Sequence, residues 1–564
     1  MTKSTLICAV AVFIGSLAFL LLLAPLAPFT KELGVLESSA VRDIFAGHVI
    51  LPSFAPYEPG SQIQAPPLSW WTDALMVRLL GWNEIAFRLP AVVSSAATCA
   101  LLFLWLAEVT GYRAGFLGAA SLLFCHFFAD AARQPRMDAM LTMFVTASAV
   151  CLERALFGAP HRRRLLLLVA AILMALGTMT KGPLGPLLPG LAIGAYCLVT
   201  RRLRELFKLD VIAAFLGSIV IVMPWYIAAY QIGGKEFLDW QIYGVLFHRF
   251  MSSEIFGRRY CPNPFYYFVP IALAGFFPWS IYLPALAVWF WRRGVSLPDP
   301  AIFALCWFSA IFIFFSSSTG KCFEYILPVF PPLAAMLGLL IERMNDPSRD
   351  FLVARTFGLG SAVLGIGILL LGLSMIVILL AGAPSELLLH LHPRDREYIS
   401  IFSSVAGHPA FVLFLLAWVG GGLLLLLGSQ RTLLGVQLTG AVAVAAAGIA
   451  FWFGVMNPAL SQRQSLKGFA KEVDSVVPLT AKINFIGQMD YDFAFYSNRG
   501  VEHAGNFDCG APRDGQRYFL VAQDEYGKLG PARTGCVKLI AKSPAVDHHG
   551  ARLLFVTDSN SHRM

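Results

Sequence analysis

Apolar runs long enough to cross a bilayer recur along most of this chain, and no soluble fold can absorb them. They fall near residues 5–28, 90–109, 114–131, 139–156, 165–180, 184–199, 210–229, 266–291, 300–318, 325–341, 354–382, 410–428 and 433–455. At roughly 20 residues per crossing, these runs predict a polytopic α-helical membrane protein with about 13 transmembrane helices. Of 564 residues, 57% are hydrophobic and only 14% charged, which agrees with that class. The first run is too long for the apolar region of a cleaved leader and lacks a cleavage site, so it reads as a span. A net charge of +9 would suit a nucleic-acid binder, but the Lys and Arg residues gather in short loops between apolar runs. There they orient the chain and touch lipid.

Those loops set the expected topology. One set carries Arg162, Arg163 and Arg164, then Arg201, Arg202, Arg204 and Lys208, then Arg292 and Arg293, then Arg343 and Arg349. The positive-inside rule makes them cytoplasmic, with the N-terminus. The long loops 29–89, 230–265 and 383–409 are then outside, with everything after about Met456. The chain divides into a transmembrane part, 1–456, and a small extracytoplasmic α/β domain, 457–564. The latter is read from one helix, SLKGFAKEVDSVV, and strand-like pieces AKINFIG, DFAFYSN, RYFLVAQ, VKLIAKS and ARLLFVTD. Cys509 and Cys536 would share an oxidising space and are expected to pair. The ten cysteines follow no metal-ligand spacing.

The connection Glu32 to Gly81 is too polar for lipid and too apolar for a tether. In ESSAVRDIFAG, Ala40, Val41, Ile44 and Phe45 form an apolar stripe with Glu37, Arg42 and Asp43 off it, and Gly47 ends the helix. Pro66 and Pro67 open a second helix, with Leu68, Trp71 and Leu75 on one face and Gly81 as its stop. Trp70 and Trp71 suit the headgroup level. Two such helices carrying Glu37 read as an active-site floor; a passive interfacial loop is the plainer alternative.

Polar residues near the spans collect at the ends assigned to the outside. Arg133, Arg136 and Asp138 lie in AARQPRMDAM, Lys181 in TKGP, His248 and Arg249 in LFHRFM, and Lys321, Glu324 and Tyr325 in SSSTGKCFEYILPVFPPLA. A transporter places ionisable groups along a path near the midplane. A one-sided crowd of cations suits an anionic, membrane-borne molecule, and phosphate is the natural partner of fixed Arg and Lys. Snorkelling to headgroups is the competing reading for each cation.

These pieces, taken together, resemble the bacterial GT-C membrane glycosyltransferases related to protein O-mannosyltransferases and to the lipid A aminoarabinose transferase. The resemblance runs from Glu32 to Leu340 through RDIFAGHVILP, PPLSWW, RQPRMDAM, TKGPLGPLLPG, MPWY, HRF, PFYYFVPIALAGFFPWSIYLP and STGKCFEYILPVFPPLA. It implies a polyprenyl-phosphate-linked sugar as donor, transferred with inversion to an outward lipid, glycan or protein acceptor at the cytoplasmic membrane. By motif position Asp138, Lys181, Arg249, Lys321 and Tyr325 belong to the site, the cations and Tyr325 holding the donor phosphate. Arg42, Arg133 and His248 are further candidates.

The chain departs from the family pattern at its acids. The family's Asp-Glu pair becomes Glu37 and Ser38, which makes Glu37 the expected catalytic base beside Asp138. Gln64 and Ala65 replace the Glu-Lys before Pro66, and Glu58 is the nearby acid able to substitute. Val245 and Leu246 stand where relatives carry an acid-His pair. Some relatives bind a divalent metal with these groups, and the departures argue against one here. They also keep a second reading open, an accessory protein that binds a lipid-linked sugar without turning it over, ahead of a flippase.

Overall fold

The computed structural model describes all residues except 1, 25–26, 31–32, 55–64, 242–250, 252–253, 256–257, 260, 295–296, 346–349, 382–392, 407, 488, 505–516, 529–536, 547–551 and 559–564. In chain order the helices are α1 (Lys3–Leu23), α2 (Glu37–Phe45), α3 (Leu68–Leu80), α4 (Glu84–Val109), α5 (Tyr112–Leu123) and α6 (His126–Ala131). Next come α7 (Met137–Phe157), α8 (Arg163–Lys181), α9 (Leu184–Val199) and α10 (Leu209–Asp239). A short ribbon, β1 (Glu254–Ile255) and β2 (Arg258–Arg259), precedes α11 (Phe268–Gly275), α12 (Leu283–Arg293), α13 (Asp299–Ser317), α14 (Phe330–Arg343) and α15 (Phe351–Ala381). Then follow α16 (Pro393–Val405), α17 (Pro409–Gln430) and α18 (Leu434–Phe451).

The protein is a multi-pass membrane protein of the class its sequence indicates. Among the described residues ten helices are long and apolar enough to cross, and an eleventh arises if the pair Phe268–Gly275 and Trp279–Arg293, bent by 104°, counts as one span. Two of the runs read from the sequence are shorter than a crossing. α9 has 16 residues. The run 114–131 is divided into α5, of 12 residues, and α6, of 6. Extended backbone at Cys125 makes that division, and the His126 amide turns to the Phe277 carbonyl.

The chain forms two compact units: Met1–Leu26 with Arg88–Met456, and Ala27–Phe87 with Asn457–Met564. Inside the first, α7, α8 and α9 pack on one another. Small residues permit it: a Cβ on Gly185 would stand 2.3 Å from the Thr178 nitrogen and 2.5 Å from the Met174 oxygen. Backbones that meet this closely gain dispersion contact that lipid cannot supply. The Cys261–Cys322 disulfide joins residues 61 apart in sequence, where Pro262 also bridges Gly320 in antiparallel register. The sequence reading paired other cysteines, Cys509 with Cys536, and both lie outside the described residues.

The second unit gathers the long first loop and the tail. Its tail contributes α19 (Asn457–Gln464), α20 (Lys467–Val476), β3 (Ile483–Ile486), α21 (Tyr491–Tyr496), β4 (Val501–Ala504), β5 (Tyr518–Ala522), α22 (Gln523–Lys528), β6 (Val537–Val546) and β7 (Arg552–Asp558). The sheet order is β4-β3-β5-β7-β6, with β3 parallel to β4 and β5 and the β5–β7–β6 side antiparallel. DFAFYSN, expected as a strand, is helix α21. The Asp490 side chain caps it by accepting from the Phe493 amide at 2.8 Å, which satisfies a donor that a first helical turn leaves open. The first loop is tied to this tail: the Phe29 amide donates to the Tyr496 hydroxyl at 2.6 Å, and Trp82 Nε1 donates to the Phe495 carbonyl at 2.9 Å.

Candidate functional site

Each unit carries its own cluster of polar side chains. In the transmembrane unit the cluster is built on two helix ends. Asp138 lies in the first turn of α7 and Lys181 is the last residue of α8, so each charge suits the helix dipole at its own terminus. Gly182 then turns the chain at φ +65°, a conformation in which a side chain on an L-residue is strained. Lys181 Nζ meets Asp138 Oδ1 at 2.5 Å and lies 4.8 Å from the Tyr325 ring centroid. Asp138, Lys181 and Tyr325, singled out separately from the sequence, therefore form one group.

Three further charges come from the same segments. Arg136 Nη2 pairs with Glu324 Oε1 at 2.9 Å. Lys321 is buried and its Nζ donates to the Asn263 carbonyl at 3.0 Å, while Asn263 Nδ2 returns a bond to the Lys321 carbonyl at 2.9 Å. That exchange and the adjacent disulfide hold Lys321 four residues before Tyr325. Burial lowers the pKa of the Lys321 ammonium, because a charge is less well solvated there. Arg133 is spent differently: it lies 4.2 Å over the Phe453 ring and 4.0 Å from Asp130. Asp138 pairs with Lys181 instead.

In the second unit α2 packs on α3, and both helices run as expected, with Gly81 at φ +81° closing α3. The faces differ from the reading. α3 buries Ser69, Trp70, Asp73, Ala74 and Val77, whereas Leu75 is exposed and Trp70, assigned to the headgroup level, is wholly buried. Asp43, placed off the apolar stripe, is also buried; it accepts from the Ser53 amide at 2.8 Å and meets His48 Nδ1 at 2.8 Å. Arg42 donates to the Ala494 and Ser497 carbonyls at 3.1 and 3.2 Å and lies 4.5 Å over Trp82, which is a packing role. Glu37 opens α2. Facing its charge, Asp73 has a pKa raised well above the ordinary aspartate value, first by burial and then by Glu37.

Asp73 and the Cys261–Cys322 bond were absent from the site read in the sequence, and Arg136 and Glu324 were named there among the polar residues without a role. An acid inside a Trp-rich helix was the available signal for Asp73. Glu58, His248 and Arg249 lie outside the described residues. Among the described residues no three His, Cys, Asp or Glu gather as metal ligands.

The fold matches that of a solved structure along its whole length. The crystal structure of ArnT from Cupriavidus metallidurans bound to undecaprenyl phosphate superposes with a TM-score of 0.75 at 20% identity, covering 100% of this chain and 99% of that one. The family model for dolichyl-phosphate-mannose-protein mannosyltransferases matches residues 64–227. The chain thus shares its fold with ArnT and is similar over residues 64–227 to the O-mannosyltransferase model. Among similar proteins, the undecaprenyl phosphate-alpha-4-amino-4-deoxy-L-arabinose arabinosyl transferase of Pectobacterium atrosepticum is 28% identical over 56% of this chain and 56% of its own length. Transferase 2 of the same name from Pseudomonas fluorescens is 31% identical over 52% of this chain and 49% of its own. The chain thus matches about half the length of these curated relatives.

Proposed function

We propose that the protein is an inverting glycosyltransferase that moves a sugar from a polyprenyl-phosphate donor to a lipid, glycan or protein acceptor at the outer face of the bacterial cytoplasmic membrane. The observation that carries the reading is the Lys181–Asp138–Tyr325 group at the facing ends of α7 and α8. When the bond between the sugar's C1 and the phosphate oxygen breaks, its electron pair stays on the phosphate, and fixed cations stabilise the charge that builds there. Lys181 does so directly. Asp138 holds the ammonium in place, Lys321 adds a second cation, and Arg249 completes the set by motif position. Glu37 takes the acceptor's proton as the new C1–oxygen bond forms. Asp73 beside it is held toward its neutral form by burial and by the Glu37 charge.

Purified full-length protein, given an undecaprenyl phosphate-linked sugar and an envelope lipid acceptor, is expected to release undecaprenyl phosphate only when acceptor is present. Release without acceptor dependence, or none across a panel of sugars, overturns the reading. For orientation we propose a cytoplasmic N-terminus and an outward C-terminal domain. The Arg-rich loops support this, as does the Cys261–Cys322 bond, since disulfides persist in oxidising compartments. A reporter active only in the cytoplasm, fused after Met564, should be silent.

A further inference from the structure

One short segment, residues 261–263, holds Lys321 at three of its atoms. The Lys321 amide donates to the Cys261 carbonyl at 2.8 Å. Its carbonyl accepts from Asn263 Nδ2 at 2.9 Å, and its Nζ donates to the Asn263 carbonyl at 3.0 Å. The Pro262–Gly320 bridge and the Cys261–Cys322 bond join the same two segments on either side. Cys261 also has a φ of +45°, a conformation uncommon outside glycine. Strained residues of this kind persist where their surroundings over-determine them, and they cluster at functional sites.

A disulfide that served stability alone would need only its two sulfurs. Here three hydrogen bonds converge on the residue beside Cys322, and that residue is the second cation of the proposed phosphate site. A lysine head on its own is a point charge on a flexible four-carbon stem. Once fixed, it needs no reorganisation as charge builds on the leaving phosphate. An ammonium has three donors, so the bond to the Asn263 carbonyl aims the head without exhausting it.

We infer that Asn263 and the Cys261–Cys322 bond are positioning residues that act on the donor phosphate through Lys321, which ties turnover to the oxidation state of that bond. This rests on the glycosyl-transfer reading above and adds a regulation to it. The step that releases Lys321 is thiol–disulfide exchange. A dithiol reductant gives up two electrons and two protons, the Cys261–Cys322 bond becomes two thiols, and the reductant leaves as a disulfide. No formal charge in the site changes, so a loss of turnover comes from position.

The test uses purified full-length protein in detergent, with an undecaprenyl phosphate-linked sugar, a lipid acceptor, and dithiothreitol as the reductant. Reduction of wild type is expected to weaken undecaprenyl phosphate binding and to lower turnover at saturating donor by about 10–10². That is the order of loss when a catalytic group moves by about an ångström. Cys261→Ser with Cys322→Ser should lose a similar factor and ignore dithiothreitol, which separates this bond from any other. Asn263→Ala should lose part of that factor. In a Lys321→Ala background, reduction and the same substitutions should each change turnover and undecaprenyl phosphate affinity by less than about twofold. A merely structural clasp loses as much there as in wild type, so equal losses in the two backgrounds overturn the inference. Free thiols at Cys261 and Cys322 in the untreated protein overturn it too, as does full turnover once alkylation shows the bond broken. If the serine pair fails to fold, dithiothreitol on the assembled protein, with and without Lys321→Ala, still decides. Reduction-sensitive, Lys321-dependent binding of undecaprenyl phosphate without turnover of any sugar leaves the inference standing and sinks the transfer reading instead.

Discussion

Asp138 and Asp73 are the same residue type, each buried in a polar cluster, yet the two clusters treat their carboxyl groups in opposite ways. Asp138 is matched to Lys181 at 2.5 Å, and Arg136 and Glu324 repeat the pattern at 2.9 Å. That region consists of compensated charges with a second cation, Lys321, nearby. Asp73 instead has another acid, Glu37, as the charge acting on it, and burial first and then that charge raise its pKa. Compensated pairs with cations to spare suit a site that receives an anion; two acids in one environment suit a site that handles a proton. The two clusters thus differ in the chemistry that each one suits.

The largest expected effect breaks the proton-handling side. Glu37→Gln keeps size and hydrogen bonding but removes the proton acceptor, and turnover should fall by roughly 10²–10⁴ with donor binding kept. An active Glu37→Gln with a dead Asp138→Asn would transfer the role to the other cluster. On the anion side, Lys181→Ala should lower turnover at saturating donor by about 10²–10³. Asp138→Asn should cost less, because the ammonium remains and loses only its anchor. If the two variants are equally impaired, Asp138 does more than position Lys181.

How far these clusters were visible beforehand follows from the range over which each signal acts. Helices α2 and α3 were legible because their punctuation is local: Pro66 and Pro67 before one, Gly47 and Gly81 after the two. The buried face of α3 was not, because Trp and Leu occur on both sides of that helix and the apolar stripe at Leu68, Trp71 and Leu75 competed with the face holding Trp70, Ala74 and Val77. α21 escaped because FAFY alternates like a strand, and only the Asp490 cap decides it. The residues of the transmembrane cluster were named individually, but their pairing joins positions 43 apart for Lys181 and Asp138, and periodicity does not report contacts of that kind. Asp130 as partner of Arg133 was within reach, since the two lie only three residues apart, across the turn that ends α6.

A smaller effect is expected at the turn that presents Lys181. Gly182→Ala places a Cβ in open space but at φ +65°, so strain alone acts, at about 1–2 kcal/mol. Thermal unfolding in detergent should show this as a modest loss, with donor KM raised as Lys181 shifts. A loss of stability with unchanged KM would mean that the turn does not set the lysine's position.

The smallest expected effect tests the other half of the comparison through pH. The Asp73 pKa is raised in the folded protein above its ordinary 3.8. Below the unfolded value Asp73 is protonated in both states and costs nothing. As pH rises past it, the unfolded chain ionises first, so folding is penalised progressively until the folded pKa is passed, and the full loss is then in place. Asp73→Asn has no proton to lose and escapes this penalty. Its melting temperature relative to wild type should therefore climb as pH is raised from about 4 toward neutrality, and then level off. The same series in a Glu37→Gln background should climb less, because the neighbouring negative charge that raises the Asp73 pKa is gone. A constant difference between Asp73→Asn and wild type across that range would mean that Asp73 is not held toward its neutral form. An equal climb in the Glu37→Gln background would leave burial as the sole cause and separate the two acids. In that case Glu37 would stand alone as the proton acceptor, and the contrast with the compensated pair at Asp138 would rest on solvation rather than on a neighbouring charge.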